Sequence, residues 1–310
     1  TVLLIVTIVA ISFPLSVNAQ TIPSLSDVFF VDNQTVLAVG NSGIILKSTD
    51  TGNTWTQIAC PVNEDLKGVK INGSLGIVVG NKGTILQSMN FGDKWIKVNS
   101  NVTSKDLSDL EILSNTKIIA IGKDSTMLVS KNSGDSWEAF GSISCSYSFD
   151  DLSFMDLNNG VLIAGGTIYG TTDGGSSWSD IKPSSIGGHH TAWSNLHCCS
   201  YSTNLMVIGE NFTTKISMNP TGFEYYDAIW YKTSTGSFVE KKGTFRKCYD
   251  KTCTGTYYIQ DIKILQDNNF LAVGDNGLIV KIENNGATWS YKNSGTTKNL
   301  TAVSYNGFNC

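Results

Sequence analysis

Two sets of side chains in this 310-residue chain could do chemistry. The first is His189, His190 and His197 with Cys198 and Cys199, imidazole and thiolate being ligands that zinc takes. The spacing of this run fits no closed zinc site. Oxidation in an exporting compartment would also consume a cysteine here. His197 keeps step with an alternating strand. No metal site and no cofactor are therefore assigned. The second set is the acidic one: 26 Asp and Glu are enough to supply two carboxylates flanking a glycosidic bond. Clamping a substrate carboxylate takes several guanidinium forks, and Arg246 is the single arginine. The chain reads as a non-enzyme, with a secreted glycoside hydrolase as the alternative.

The elements that position these groups follow from a repeated turn. Ser48 to Trp55, STDTGNTW, recurs as SMNFGDKW (88–95), SKNSGDSW (130–137), TTDGGSSW (171–178) and IENNGATW (282–289). Asx side chains fold back onto backbone N–H groups, Gly permits positive φ, and Trp returns the chain to apolar packing. The turn-builders are Asp50, Gly52 and Trp55; Asn90, Gly92 and Trp95; Asn132, Gly134 and Trp137; Asp173, Gly175 and Trp178; and Asn284, Gly286 and Trp289. They read as structural residues joining two strands.

Upstream of each turn lies V-G-x-x-G-x-I-L (39–46, 79–86), and before that an alternating strand such as LSDVFFVD (25–32). Measured at Val28, Val69, Leu110, Leu152, Leu196, Ile262 and Val303, the spacing is 41, 41, 42, 44, 66 and 41 residues. Short strands at an even period with Gly-Asn turns predict an all-β fold, a β-propeller of four-stranded antiparallel blades. Six complete blades are expected, or seven if the chain is an excerpt, because a further first strand begins at Leu300. The fifth period carries no Trp, and Tyr225 or Tyr226 stands in its place.

These residues resemble the Asp-box (BNR-like) repeat propellers. The pattern of 39–55 and 79–95 is similar to the photosystem II assembly factors of the Ycf48/HCF136-like group. The resemblance covers roughly 25–305 and implies the fold. Sialidases share the Asp box, but their arginine cluster cannot be built from Arg246. For the assembly factors the resemblance implies a basic surface patch that binds a membrane protein, and an arginine-poor chain of net charge −4 departs from it.

Residues 1–19 carry no charge, are apolar from Val2 to Phe13 and end in Val17-Asn18-Ala19, which reads as a secretory signal peptide. The remainder, 20–310, reads as one propeller domain with an inserted loop at about 226–258 and no membrane span. Seven cysteines fit a disulfide-permitting compartment. Cys248 and Cys253 are expected to close a small loop, and Cys145 to reach Cys198 or Cys199. Sequons at Asn33, Asn72, Asn101, Asn211 and Asn299 suggest N-glycosylation of a secreted or cell-surface product. The acidic balance makes no case for nucleic acid.

Departures from the repeat cluster in three successive connections, and loops on a rigid scaffold usually carry binding. His189, His190, Trp193, Tyr226, Trp230, Arg246 and Tyr249 are the candidate binding residues. The expected partner is a protein or a glycan, with self-association into a layer or fibre as a further form.

Overall fold

The computed structural model describes residues 24–99, 101–141, 143, 147–154, 156–165, 167–181, 259–265, 269–284 and 288–305. It also describes the backbone of four strands, 193–198, 205–212, 226–232 and 238–242. All of it is β-structure and turn, and the helical pieces among the described residues are three-residue 3-10 turns.

Each repeat folds into one antiparallel sheet whose strands neighbour each other in chain order. The first is β1 (Leu25–Phe30), β2 (Val36–Gly40), β3 (Ile45–Ser48) and β4 (Thr56–Gln57). The second is β5 (Leu66–Asn72), β6 (Leu75–Gly80), β7 (Thr84–Ser88) and β8 (Ile96–Lys97). The third is β9 (Leu107–Ile112), β10 (Ile118–Gly122), β11 (Thr126–Ser130) and β12 (Glu138–Ala139). The fourth is β13 (Phe149–Phe154), β14 (Gly160–Ala164), β15 (Thr167–Thr171) and β16 (Ser179–Asp180). Strands β17 (Trp193–Cys198), β18 (Leu205–Phe212), β19 (Tyr226–Lys232) and β20 (Phe238–Lys242) pair in the same order. Strands β21 (Ile259–Ile264), β22 (Phe270–Gly274), β23 (Leu278–Glu283) and β24 (Thr288–Tyr291) follow. These are the blades of a β-propeller, five of them with described side chains.

Burial explains the strand sequences. The second strands VLAVG, LGIVVG, IIAIG, GVLIA and FLAVG are buried at every position, as an apolar run covered on both faces should be. Their two faces feed different interfaces. Leu37 and Val39 pack against Leu66, Val69 and Val78 of the next blade, whereas Ala38 packs with Leu46, Val28 and Trp55. The core is thus a series of sandwiches between successive blades.

The V-G-x-x-G motif has a steric cause. A Cβ on Gly40 would lie 2.2 Å from the carbonyl oxygen of Ser24, and one on Gly43, at φ 69°, would lie 2.1 Å from that of Val62. The turn after the second strand is thereby pressed against the connection into the next blade, and Ser42 N–H donates to Asp65 Oδ1 at 2.9 Å. These turns and connections share one face. The Asp boxes share the other with the turns after the first strands, where Thr51 N–H donates to the Gln34 carbonyl at 2.8 Å and Phe91 N–H to that of Ser74 at 3.1 Å.

The fifth repeat corrects the sequence reading. Part of the expected inserted loop at 226–258 is strand: β19 pairs with β18 from Phe212↔Tyr226 to Leu205↔Lys232, and β20 pairs with β19. Tyr226 therefore opens a third strand and does not stand where a box Trp returns the chain. An alternating aromatic run, YDAIWYK, took precedence over motif spacing. The signal-peptide reading of 1–19 lies outside the described residues.

Candidate functional site

The Asp boxes resolve as turn machinery. In the first, Ser48 Oγ donates to Asp50 Oδ1 at 2.8 Å and accepts from Gly52 N–H at 2.8 Å. Asp50 Oδ1 accepts Thr54 N–H at 2.8 Å, Asp50 Oδ2 accepts Thr54 Oγ1–H at 2.6 Å, and Trp55 Nε1–H reaches the Gly52 carbonyl at 2.9 Å. Those bonds, led by the Thr54 hydroxyl, hold the Asp50 carboxyl down at about 2, and Ser177 does the same to Asp173. Asn90 and Asn132 accept from the N–H groups of Lys94 and Ser136 at 3.0 Å. Trp95 and Trp137 are buried; Trp55, Trp178 and Trp289 are half-buried. Trp95, Trp137 and Trp178 bond the carbonyls of Gly92, Gly134 and Gly175. The last box has Ile282 where the others have a hydroxyl, and Asn284 itself sits at φ 55° and donates to Thr288 Oγ1 at 3.2 Å. Gly286 lies outside the described residues.

Chemistry concentrates instead on the innermost strands. Each has a bulge after its first residue, as between Leu25 and Asp27 or Ile259 and Asp261, and bulges re-aim side chains. The third residue is Asp in four of these strands: Asp27, Asp109, Asp151 and Asp261. Asp27 Oδ2 accepts Val69 N–H of the next blade at 2.9 Å, Asp109 Oδ2 accepts Leu152 N–H at 3.0 Å, and Asp261 Oδ2 accepts Val303 N–H at 2.7 Å. Oδ1 of Asp27, Asp151 and Asp261 takes the N–H of its own chain neighbour. Carboxylates thus clasp adjacent blades near the ring axis.

Two residues further along stand Lys70, Glu111 and Lys263. Lys70 Nζ is 3.6 Å from Glu111 Oε1, and Lys263 Nζ is 4.0 Å from Asp261 Oδ1. Burial raises Asp27 to about 6, with Lys70 and Lys263 pulling the other way. Burial likewise raises Glu111 and Asp261. Lys70 is held above the ordinary lysine range: burial works against its charge, but Glu111, Asp109, Asp27 and Asp151 outweigh it. Side chains from the five blades with described side chains therefore share one electrostatic neighbourhood, a lumen where, among the described residues, carboxylates outnumber ammonium groups. The clue in the sequence was the Asp at the third position of four first strands, in LSD (25–27 and 107–109), FDD (149–151) and IQD (259–261), which reads locally as plain alternation.

The loop candidates fare differently. His189, His190, Arg246 and Tyr249 lie outside the described residues, as do Cys145, Cys199, Cys248 and Cys253. Trp193 and Cys198 bound β17, Tyr226 opens β19, and Trp230 pairs with Val207 and Glu240 within that sheet. The structure thus places Trp193, Tyr226 and Trp230 in strands and not in loops. Cys60 is a free thiol, raised by burial. Sequon residues Asn33, Asn72, Asn101 and Asn299 are exposed, and Asn211 lies in β18. No cluster of three or more His, Cys, Asp or Glu able to hold a metal ion occurs among the described residues, and none of their helical pieces is long and apolar enough to cross a membrane.

Blade, box and clasp together define an Asp-box, BNR-like β-propeller. Residues 11–104 match the family model of the photosynthesis system II assembly factor YCF48, and the resemblance to that group extends to solved structures. A YCF48 bound to a D1 peptide superposes with a TM-score of 0.63 at 15% identity, over 87% of this chain and 82% of that one. YCF48 from Cyanidioschyzon merolae gives 0.59 at 18%, over 87% and 85%. The GH74 xyloglucanase from Xanthomonas campestris gives 0.64 at 12%, over 87% of this chain but 47% of that enzyme. At these identities the likeness speaks for the fold. No curated protein matches the sequence.

Proposed function

We propose that the chain is a non-catalytic binding propeller that holds a segment of a protein partner at the mouth of its lumen. The observation that carries this is the excess of carboxylates over lysines on the innermost strands, which favours a segment bearing basic side chains. Both oxygens of Asp27 and of Asp261 are occupied by backbone N–H groups, which supports a scaffold role over acid–base work. The peptide-bound YCF48 structure supports a polypeptide partner. The ring has six complete blades, and 300–305 opens a seventh position. The protein is secreted, N-glycosylated at exposed sequons, and acts at a cell surface. The N-terminal leader pattern and Asn33, Asn72, Asn101 and Asn299 support this.

A peptide array probed with the purified protein tests the reading. Basic peptides should be retained, with affinity falling as salt rises, and Glu111→Lys should reduce retention. Binding of glycans without peptides, or turnover of xyloglucan abolished by one carboxylate substitution, would replace it with the glycoside-hydrolase reading.

A further inference from the structure

One hairpin differs from its counterparts in the other blades. In the second blade, Met89, Phe91 and Ile96 are 58%, 53% and 51% exposed. The same positions hold Thr49, Thr51 and Thr56 in the first blade, Lys131, Ser133 and Glu138 in the third, and Thr172, Gly174 and Ser179 in the fourth. The repeat needs no apolar residue there. Its core is already served by Trp95, which is buried behind the turn.

Phe91 is also conformationally anomalous. It sits at φ 58°, a left-handed region that bulky side chains avoid. The backbone is pinned on both sides: Phe91 N–H donates to the Ser74 carbonyl, and the Phe91 carbonyl accepts Lys47 Nζ at 2.9 Å. Asp93 in the same turn is neutralised by Lys47 at 2.6 Å. Lys94 and Lys97 stand on either side of Ile96 in the same hairpin, are exposed, and make no ion pair among the described residues. A hairpin with a pinned turn thus exposes an aromatic, a thioether and a branched aliphatic alongside two lysines that make no ion pair among the described residues.

From this chemistry we infer that the second-blade hairpin docks the propeller on an anionic lipid bilayer surface. Met89, Phe91 and Ile96 enter the headgroup boundary, and Lys94 and Lys97 meet the lipid phosphates. A protein groove would need a concave counterpart for each side chain. A bilayer accepts a convex apolar tip of any outline. The acidic net charge of the whole chain requires the attraction to be local, within about a Debye length of the two lysines.

Flotation of the full chain with vesicles, with and without phosphatidylserine, tests this. The wild type should float with anionic vesicles and release as salt rises. Phe91→Ser, which installs the residue the third blade carries at the equivalent left-handed position, φ 62° at Ser133, should lower partitioning roughly tenfold or more. Lys94→Ser and Lys97→Ser should each lower it roughly fivefold on anionic vesicles and leave neutral ones unaffected. Because all variants share the same N-terminal segment, its own membrane affinity cancels in the comparison. Equal partitioning of wild type and Phe91→Ser, with unchanged melting curves, would overturn the inference. So would a concentration-dependent dimer that Phe91→Ser abolishes, since the tip would then be covered by a second copy.

Discussion

Asp261 Oδ2 accepts the backbone N–H of Val303 at 2.7 Å, the same contact that Asp27 makes with Val69 and Asp109 with Leu152. Val303 therefore stands to the last complete blade as each first strand stands to the blade before it. The other side agrees: Thr301 Oγ1 donates to the Leu25 carbonyl at 3.0 Å, as Ser108 Oγ does to that of Phe149 at 2.7 Å. Ser304 Oγ accepts Phe30 N–H at 3.0 Å. Val303 is buried with Leu265, Leu271, Val273 and Ile279. Residues 300–305 thus bridge the two ends of the described ring.

Removing that clasp should loosen the ring at one place. Asp261→Ala leaves the N–H groups of Ile262 and Val303 without an acceptor, each worth about 1–3 kcal/mol when buried. Asp261→Asn keeps one acceptor and should cost less. Urea unfolding of both variants measures the difference. The seam at 300–305 should gain amide exchange in the alanine variant, while the second and third blades keep their protection.

Asp27 sets a pH dependence whose sign is fixed by its shift. Its folded value of about 6 lies above the ordinary 3.8, so the folded state binds the proton more tightly than the unfolded chain. The contribution of Asp27 to stability is greatest below pH 4 and is lost as pH rises through 6. Asp50 and Asp173, held at about 2, act in the opposite sense and lose their contribution only as pH falls from about 4 towards 2. Carboxyl carbon titration by NMR should report the value for Asp27. Asp27→Asn should flatten the stability slope between pH 4 and 6.

Two glycines separate close approach from backbone conformation. At Gly40 a Cβ would meet the Ser24 carbonyl oxygen at 2.2 Å, although its φ of −173° suits any residue. At Gly73 nothing lies within 4 Å, but φ is +59°. Gly73→Ala should cost about 1–2 kcal/mol. Gly40→Ala must move backbone and should cost more, read as a larger drop in melting temperature.

The local part of this molecule was legible in its sequence. A hydroxyl, an Asx, a Gly and a Trp within eight residues build their turn from their own backbone, and the even spacing of those turns with V-G-x-x-G defines four-stranded blades. The fifth repeat was misread because its box lacks the hydroxyl, Gly and Trp spacing, and only the pairing of β18, β19 and β20 shows which residues form its outer strands. The carboxylate lumen was hidden for another reason. Asp27, Asp109 and Asp261 make their deciding bonds to residues 42 or 43 positions away, and Ser304 and Thr301 reach partners more than 270 positions away. Alternation along a strand records that a side chain leaves the sheet. Which blade it then meets, and at what cost in desolvation, is decided only when the ring brings the strands together.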